Sequence, residues 1–424
     1  MKVAIIGSGI SGNVAAYLLR SGHDISVYEA ASYIGGHTNT VDVYERGRKI
    51  AVDTGFIVFN EHTYPNFISL LDEIGQTSQL SEMSFSVRSE DGRLEYNGRS
   101  LDSLFAQRRN LLNPRFYRMI RDILRFNAEA PRDAAREDIE ATLGDYLAAK
   151  RYSREFIDHY LVPMAAAIWS AEPVRVMDMP VGFLVRFFGN HGLMQLRDRP
   201  QWRVVSGGSR EYVKKLVAGH RDKIRLNSPV RSVRRTPTGV ELRSDSSEAE
   251  LFDAVFFACH SDQALRLLSE PTLAEAEVLG AIRYQQNEAI LHTDANVMPS
   301  RRKAWAAWNY HLPTDATRHV AVTYNMNILQ KLDAEYQYCV TLNSDQAIDS
   351  DCVIKRIRYE HPMYSREAVR AQGRQAELNV DRLFFCGAYW RNGFHEDGVV
   401  SAQAAVQHFE EWQCNEELHL RRAS

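Results

Sequence analysis

Cysteine is scarce and badly placed for pairing: Cys259, Cys339, Cys352, Cys386 and Cys414 are odd in number and never stand two or three residues apart. A disulfide scaffold, a dithiol motif and a zinc pair are therefore excluded, and reduced, structural thiols are expected. No apolar run approaches the length of a bilayer-spanning helix, and the first strand opens at Lys2 with no signal peptide before it, so a cytoplasmic protein is expected. Net charge is only -3, and no basic stripe tracks along the chain, which sets nucleic acid aside as a partner. The 14 histidines are dispersed without an HExxH-like spacing, so no metal is expected. What remains is 424 residues, 45% hydrophobic and 25% charged, a globular chain long enough for two cores. It carries no internal repeat and no low-complexity tract.

Against that background the first thirty residues stand out. Val3-Ala4-Ile5-Ile6 reads as a buried strand, Gly7-Ser8-Gly9-Ile10-Ser11-Gly12 as a glycine turn opening a helix, and Ile25-Ser26-Val27-Tyr28 as a second strand that ends on Glu29. In a dinucleotide site Gly7 serves the tight turn, Gly9 lets backbone amides reach a pyrophosphate, and Gly12 lets the helix lie on the sheet. The acid at the second strand's end takes the ribose hydroxyls.

Downstream, Gly35-Gly36 is placed close to this loop if the βαβ unit forms. Ile50–Phe56 reads as strand and turn, 66–74 as a helix closed by Gly75, and 76–99 alternates as strands do. From Leu101 to about Phe188 helical periodicity takes over, with breaks at Pro114, Pro131, Pro163 and Pro173, which suggests an inserted helical lobe. Strand patterns resume at 202–208, and a helix is expected over 210–216. Further strands are expected over 224–226, 230–234, 240–243 and 254–259, and an aromatic, strand-rich stretch runs from 282 to 343. Leu383–Ala388 is an apolar strand into a glycine turn, and Gly398–Phe409 starts a closing helix.

The opening loop, Gly35-Gly36, Gly207-Gly208 and the closing Phe385-Cys386-Gly387 with Gly393-Phe394-His395-Glu396-Asp397-Gly398 together resemble the flavin-containing amine oxidase superfamily. More narrowly the chain is similar to bacterial NAD/FAD-binding proteins associated with cyclopropane fatty acid synthases. The resemblance implies an α/β fold, with a Rossmann-type FAD-binding domain formed by 1–75, 200–275 and 380–424. An interleaved α+β substrate domain with the helical lobe would take 76–199 and 276–379. It implies FAD, with Gly7, Ser8, Gly9, Ser11 and Gly12 at the pyrophosphate and Glu29 at the adenosine ribose. Gly35, Gly36, His37 and Thr38 would line the inner phosphate and ribityl region, and Val230 would meet adenine through its backbone. Gly387 and the helix start at Gly398-Val399-Val400-Ser401 would face the ribityl chain and the flavin's pyrimidine edge. Ala388 stands where many relatives carry an acid, which leaves Asp397 or a backbone amide for the ribityl hydroxyl.

Several residues keep two readings. His37 either touches FAD or is an ordinary loop histidine. His395, Glu396 and Asp397 either position substrate and move a proton or cap the helix that follows. Tyr389 and Trp390 are expected to line the active site. Trp169-Ser170 and Trp305, Trp308 and Tyr310 either roof and floor the cavity or belong to the core. Cys259-His260 reads as a strand end with no activated thiol. Residues 108–125 form a basic amphipathic stretch, either the solvated side of a packed helix or a peripheral contact with anionic lipid.

The leading expectation is an FAD-dependent oxidoreductase that takes hydride from an apolar, fatty acyl or otherwise lipid-like substrate, by desaturation or oxidation. A flavin amine oxidase acting on a primary or secondary amine is the alternative. A third reading is an FAD-containing, non-catalytic partner of a lipid-modifying enzyme. NAD(P) use is disfavoured because the one complete glycine fingerprint is taken by FAD. Oligomeric state is left open.

Overall fold

A computed structural model describes residues 1–423 except 137–140, 170, 196–198, 246–247, 314–320 and 345–347. The apolar run Lys2–Ile6 forms strand β1 at the centre of a five-stranded parallel sheet. Its neighbours are Asp24–Tyr28 (β2) on one side and Ala254–Phe257 on the other. Ile224–Arg225 closes the β2 edge and Leu383–Phe385 the opposite one.

The period of two along β1 sorts its side chains onto two covered faces, as a parallel sheet requires. Val3 and Ile5, with Ile25, Val27, Phe256 and Phe384, pack under helix α1 (Ile10–Leu19) and the closing helix His395–Ala423. Ala4 and Ile6, with Val255, Phe257 and Phe385, pack on the other side against the three-stranded Val230–Phe252 sheet and helices between 261 and 281.

A second sheet of seven strands is built mainly from 284–362, with Phe85–Ser89 and Glu95–Asn97 at one edge. All its neighbours run antiparallel except Trp308–Leu312 beside Phe85–Ser89. Helices spanning Pro114–Arg136, Val162–Trp169 and Val181–Asn190 share one core with this sheet. No helix among the described residues is long and apolar enough to cross a membrane.

Candidate functional site

The loop after β1 is tied down from several directions. The Gly7 amide donates to Tyr28 O at 2.8 Å, and Asn13 Nδ2 donates to Ser8 O at 2.7 Å. Gly12 lies so close under the turn that a Cβ there would sit 2.0 Å from Gly7 O. Helix α1 has Gly9 at its N-cap and so no side-chain cap, which leaves its first amides for an anion. The Glu29 carboxylate takes the Ser8 amide at 2.8 Å and the Ser8 hydroxyl at 2.6 Å on Oε2, and the Ala31 amide at 2.8 Å on Oε1. Oε1 thus keeps a lone pair for a ribose hydroxyl. Gly35 donates to Ser8 O at 3.0 Å, and a Cβ on Gly36 would come within 3.2 Å of Gly9 Cα, so the second glycine pair lies directly on the first loop. Val230 is buried at the start of its strand. The turn before it is fastened to the Glu29 segment by Ser228 N to Glu29 O and Asn227 N to Ala31 O.

His37 stacks on Tyr359 at 4.8 Å, and its Nε2 is buried with no partner among the described residues. Burial pushes its pKa well below the usual imidazole range. Thr38 Oγ1 lies 2.7 Å from Tyr212 Oη and 2.9 Å from His395 Nε2, and those two are 3.0 Å apart. His395 lies flat on Phe56 at 3.5 Å, and burial lowers its pKa to about 3. It is a neutral imidazole throughout the physiological range.

The closing helix begins earlier than its glycine suggests. Asp397 Oδ2 accepts the Phe394 amide at 2.9 Å, the backward half of a capping box, so the helix starts at His395. Gly398 is therefore an interior residue. Its amide already bonds Phe394 O at 3.0 Å, and a Cβ would strike Ile10 Cγ2 at 2.6 Å. Its missing side chain is what lets this helix lie on α1, and Ser11 Oγ is spent on Gly398 O at 2.9 Å. The expected helix start at Gly398 to Ser401 is corrected accordingly: the open amides belong to the 395–397 turn. Val399 is a core residue beneath it, and Gly387 N donates to Ser401 Oγ at 2.9 Å. Burial raises the Asp397 carboxyl to about pKa 7.

Glu396 turns away toward α2 (Pro65–Glu73). Its oxygens accept Asn66 N at 3.1 Å, Asn66 Nδ2 at 2.6 Å and Phe67 N at 2.9 Å, where the helix dipole favours a carboxylate. Glu396→Ala is expected to lower stability by about 2 kcal/mol, read from urea unfolding, because buried donors lose their acceptor. The flavin spectrum of the folded variant should stay unchanged.

Tyr389 and Trp390, with ring centroids 5.0 Å apart, sit buried in the sheet-backing cluster with Ala4, Ile6 and Phe257. One aromatic that meets the helical lobe is Phe394, to which sequence reasoning gave no role. It stacks on Phe187 at 5.1 Å, and Phe187 lies 4.7 Å from Trp169. Phe183 stacks on Tyr364 at 4.8 Å, and Trp169 Nε1 donates to Asn392 O at 3.2 Å. The spacing Phe183, Phe187 on one helix face was the available signal. Trp308 reaches the lobe through Tyr324, ring to ring at 5.2 Å, and Tyr324 Oη bonds Ala167 O. Tyr310 is a core residue beside Phe85, and Trp305 Nε1 bonds Pro299 O. Ser170 lies outside the described residues. Burial raises the Cys259 thiol to about 12, and His260 Nδ1 faces Glu360 at 3.1 Å instead of the sulfur.

An uncapped helix end, a carboxylate with a spare lone pair, and the orphaned His37 Nε2 and Asn13 Oδ1 along one strip fit a bound dinucleotide. Comparison with known proteins points the same way. Residues 8–303 match the profile of the flavin containing amine oxidoreductases. The chain is 27% identical over 262 residues to a Mycobacterium tuberculosis protein provisionally named flavin-containing monoamine oxidase, covering 59% of this chain and 55% of that one. It is 32% identical over 97 residues to zeta-carotene desaturase of Synechocystis sp., covering 22% of this chain and 19% of the relative. Its fold resembles cyclohexylamine oxidase from Brevibacterium oxydans, with TM-score 0.70 and 17% identity over 97% of this chain and 99% of that one.

Proposed function

Because the chain belongs to the flavin containing amine oxidoreductase family and is thus an FAD-dependent oxidoreductase, we propose that it oxidises or desaturates an apolar, lipid-like substrate, a fatty acyl chain being the leading candidate. FAD, when bound, supplies the two-electron acceptor. The remaining work falls to the chain's own groups. The α1 amides and Glu29 hold the dinucleotide, and His37 and Thr38 approach its inner half. The wall of Phe394, Phe187, Trp169, Phe183 and Tyr364 excludes water and orients the substrate.

That wall is the observation that carries the reading. It is a largely buried aromatic cluster, and the imidazole in contact with it, His191, is uncharged, its pKa lowered to about 4 by burial. Of the nearby carboxylates, Glu396 is committed to α2, and Asp397, which accepts Phe394 N, is pushed up to about pKa 7 by burial, which weakens it as a partner for an ammonium. Within this reading the chain is a relative of the bacterial flavoproteins associated with cyclopropane fatty acid synthases. Amine oxidation is the second reading, favoured by the monoamine oxidase relative and by the affinity of aromatic faces for a C–N group.

The test is anaerobic bleaching of the purified yellow holoenzyme by phospholipid-linked acyl chains against a panel of primary and secondary amines. Acyl substrates should bleach it, and Phe187→Ala should slow that bleaching by about tenfold. Faster bleaching by amines would move the reading to amine oxidation. No bleaching by any substrate, with FAD retained, would make the protein a non-catalytic partner.

A further inference from the structure

Residues 101–125 carry six arginines and two aspartates, and with Glu129 and Glu155, which pair with these arginines, the patch keeps a net +2 on a chain whose total is -3. The helix Pro114–Arg136 buries Phe116, Met119 and Phe126, yet its opposite side is not simply polar. Leu112 is 90% exposed and Leu101 76%, and Leu111, Tyr117 and Leu124 also face solvent. Tyr117, Arg121 and Leu124 share one helix face by their spacing, and Tyr117 Oη bonds Leu111 O at 3.0 Å, which joins the short helical turns before it to the same patch. Arginines are interleaved with these residues along the chain, and the Arg115 side chain is 80% exposed and that of Arg121 71%. Their acidic partners lie beneath them. Glu155, mostly buried, serves both Arg115 and Arg118, and Asp122 is buried under Arg121 and Arg125.

We infer that this surface docks on an anionic phospholipid bilayer, with the leucines entering the headgroup boundary and the arginines meeting phosphates. Charge complementarity singles out this partner. Nucleic acid would use the cations and leave Leu112 and Leu101 in water, whereas outward arginines around outward leucines match a surface that is anionic outside and apolar within. The inference goes beyond the oxidoreductase reading and is tested without turnover.

The experiment is flotation of the holoenzyme with phosphatidylglycerol or phosphatidylcholine vesicles. Wild type should float with phosphatidylglycerol, sink with phosphatidylcholine, and be released by salt. Leu112→Asp should lower the bound fraction about tenfold, and Arg115→Ala with Arg121→Ala about thirtyfold. All these side chains are exposed, and an unchanged melting temperature and flavin spectrum verify the fold. No flotation with phosphatidylglycerol, or flotation indifferent to both variants, overturns the inference. Capture of an acidic protein without vesicle binding does so in favour of a protein partner. Flotation without acyl oxidation leaves the docking surface standing and defeats only the substrate reading.

Discussion

Purified Gly12→Ala protein is expected to be colourless, while Gly9→Ala is expected to fold normally and lose FAD. The two glycines are three residues apart and fail for different reasons. A Cβ on Gly12 would lie 2.0 Å from Gly7 O and 3.1 Å from Ala258 Cβ, backbone and rigid neighbours that cannot swing aside. Either α1 lifts off the sheet or the Gly7 turn opens, at a cost of about 3 to 5 kcal/mol. Gly9 has φ -69°, ordinary for any residue, and nothing lies within 4 Å of a Cβ there. An added methyl would therefore spare the fold and stand in the path of a pyrophosphate approaching the α1 amides. Urea unfolding should separate the two variants, and flavin-to-protein ratios after desalting should fall at least about tenfold in both. Unaltered FAD affinity in Gly9→Ala would remove this loop from the cofactor site.

The second large effect is expected at Asp53. This carboxylate is fully buried. It accepts Thr40 Oγ1 at 2.6 Å, Ser209 N and Oγ each at 2.8 Å, and Gln330 Nε2 at 3.1 Å. It thus pins the Thr40 strand, the start of helix Arg210–Leu216 and the 326–330 segment to one another. Asp53→Ala strands these donors in the core and should cost about 3 to 5 kcal/mol.

Asp53→Asn keeps an acceptor and should cost less, with a pH signature. Burial raises the Asp53 pKa to about 6 from 3.8. The folded state therefore holds a proton that the unfolded chain has released, and this group's contribution to stability falls as pH rises through that window. Between pH 5 and pH 7 the balance between wild type and Asp53→Asn should move toward the variant by about 1 kcal/mol. A pH-independent difference in urea midpoints would show that Asp53 is ionised throughout.

Much of this site is legible in the sequence because its signals are local. Strand, glycine turn, helix, strand and Glu29 fall within thirty residues, and the buried strands Ala254–Phe257 and Leu383–Phe385 announce themselves as apolar runs. The illegible part depends on partners far along the chain. Glu396 reads as a catalytic carboxylate until α2, 330 residues earlier in sequence, supplies the amides it accepts. Gly398 reads as a helix start because glycine is a poor helix former, whereas Asp397 caps the helix one turn earlier and α1 demands a residue without a side chain. Phe394 lies inside the closing glycine motif, where its polar neighbours carry the signal, and only the folded lobe brings Phe187 to its face.

The order of strands in the parallel sheet also constrains how the protein comes into being. β1 precedes the partner on one of its edges, residues 254–257, by most of the intervening domain, and Leu383–Phe385 extends that side later still in the chain. These pairings join segments far apart in sequence, the kind of non-local contact that slows folding. The glycine loop is packed against Ala258, so its surroundings are completed only when the 254–257 strand is in place. An FAD bound at this loop would stabilise the finished fold against reopening, by an amount that grows with the logarithm of its free concentration.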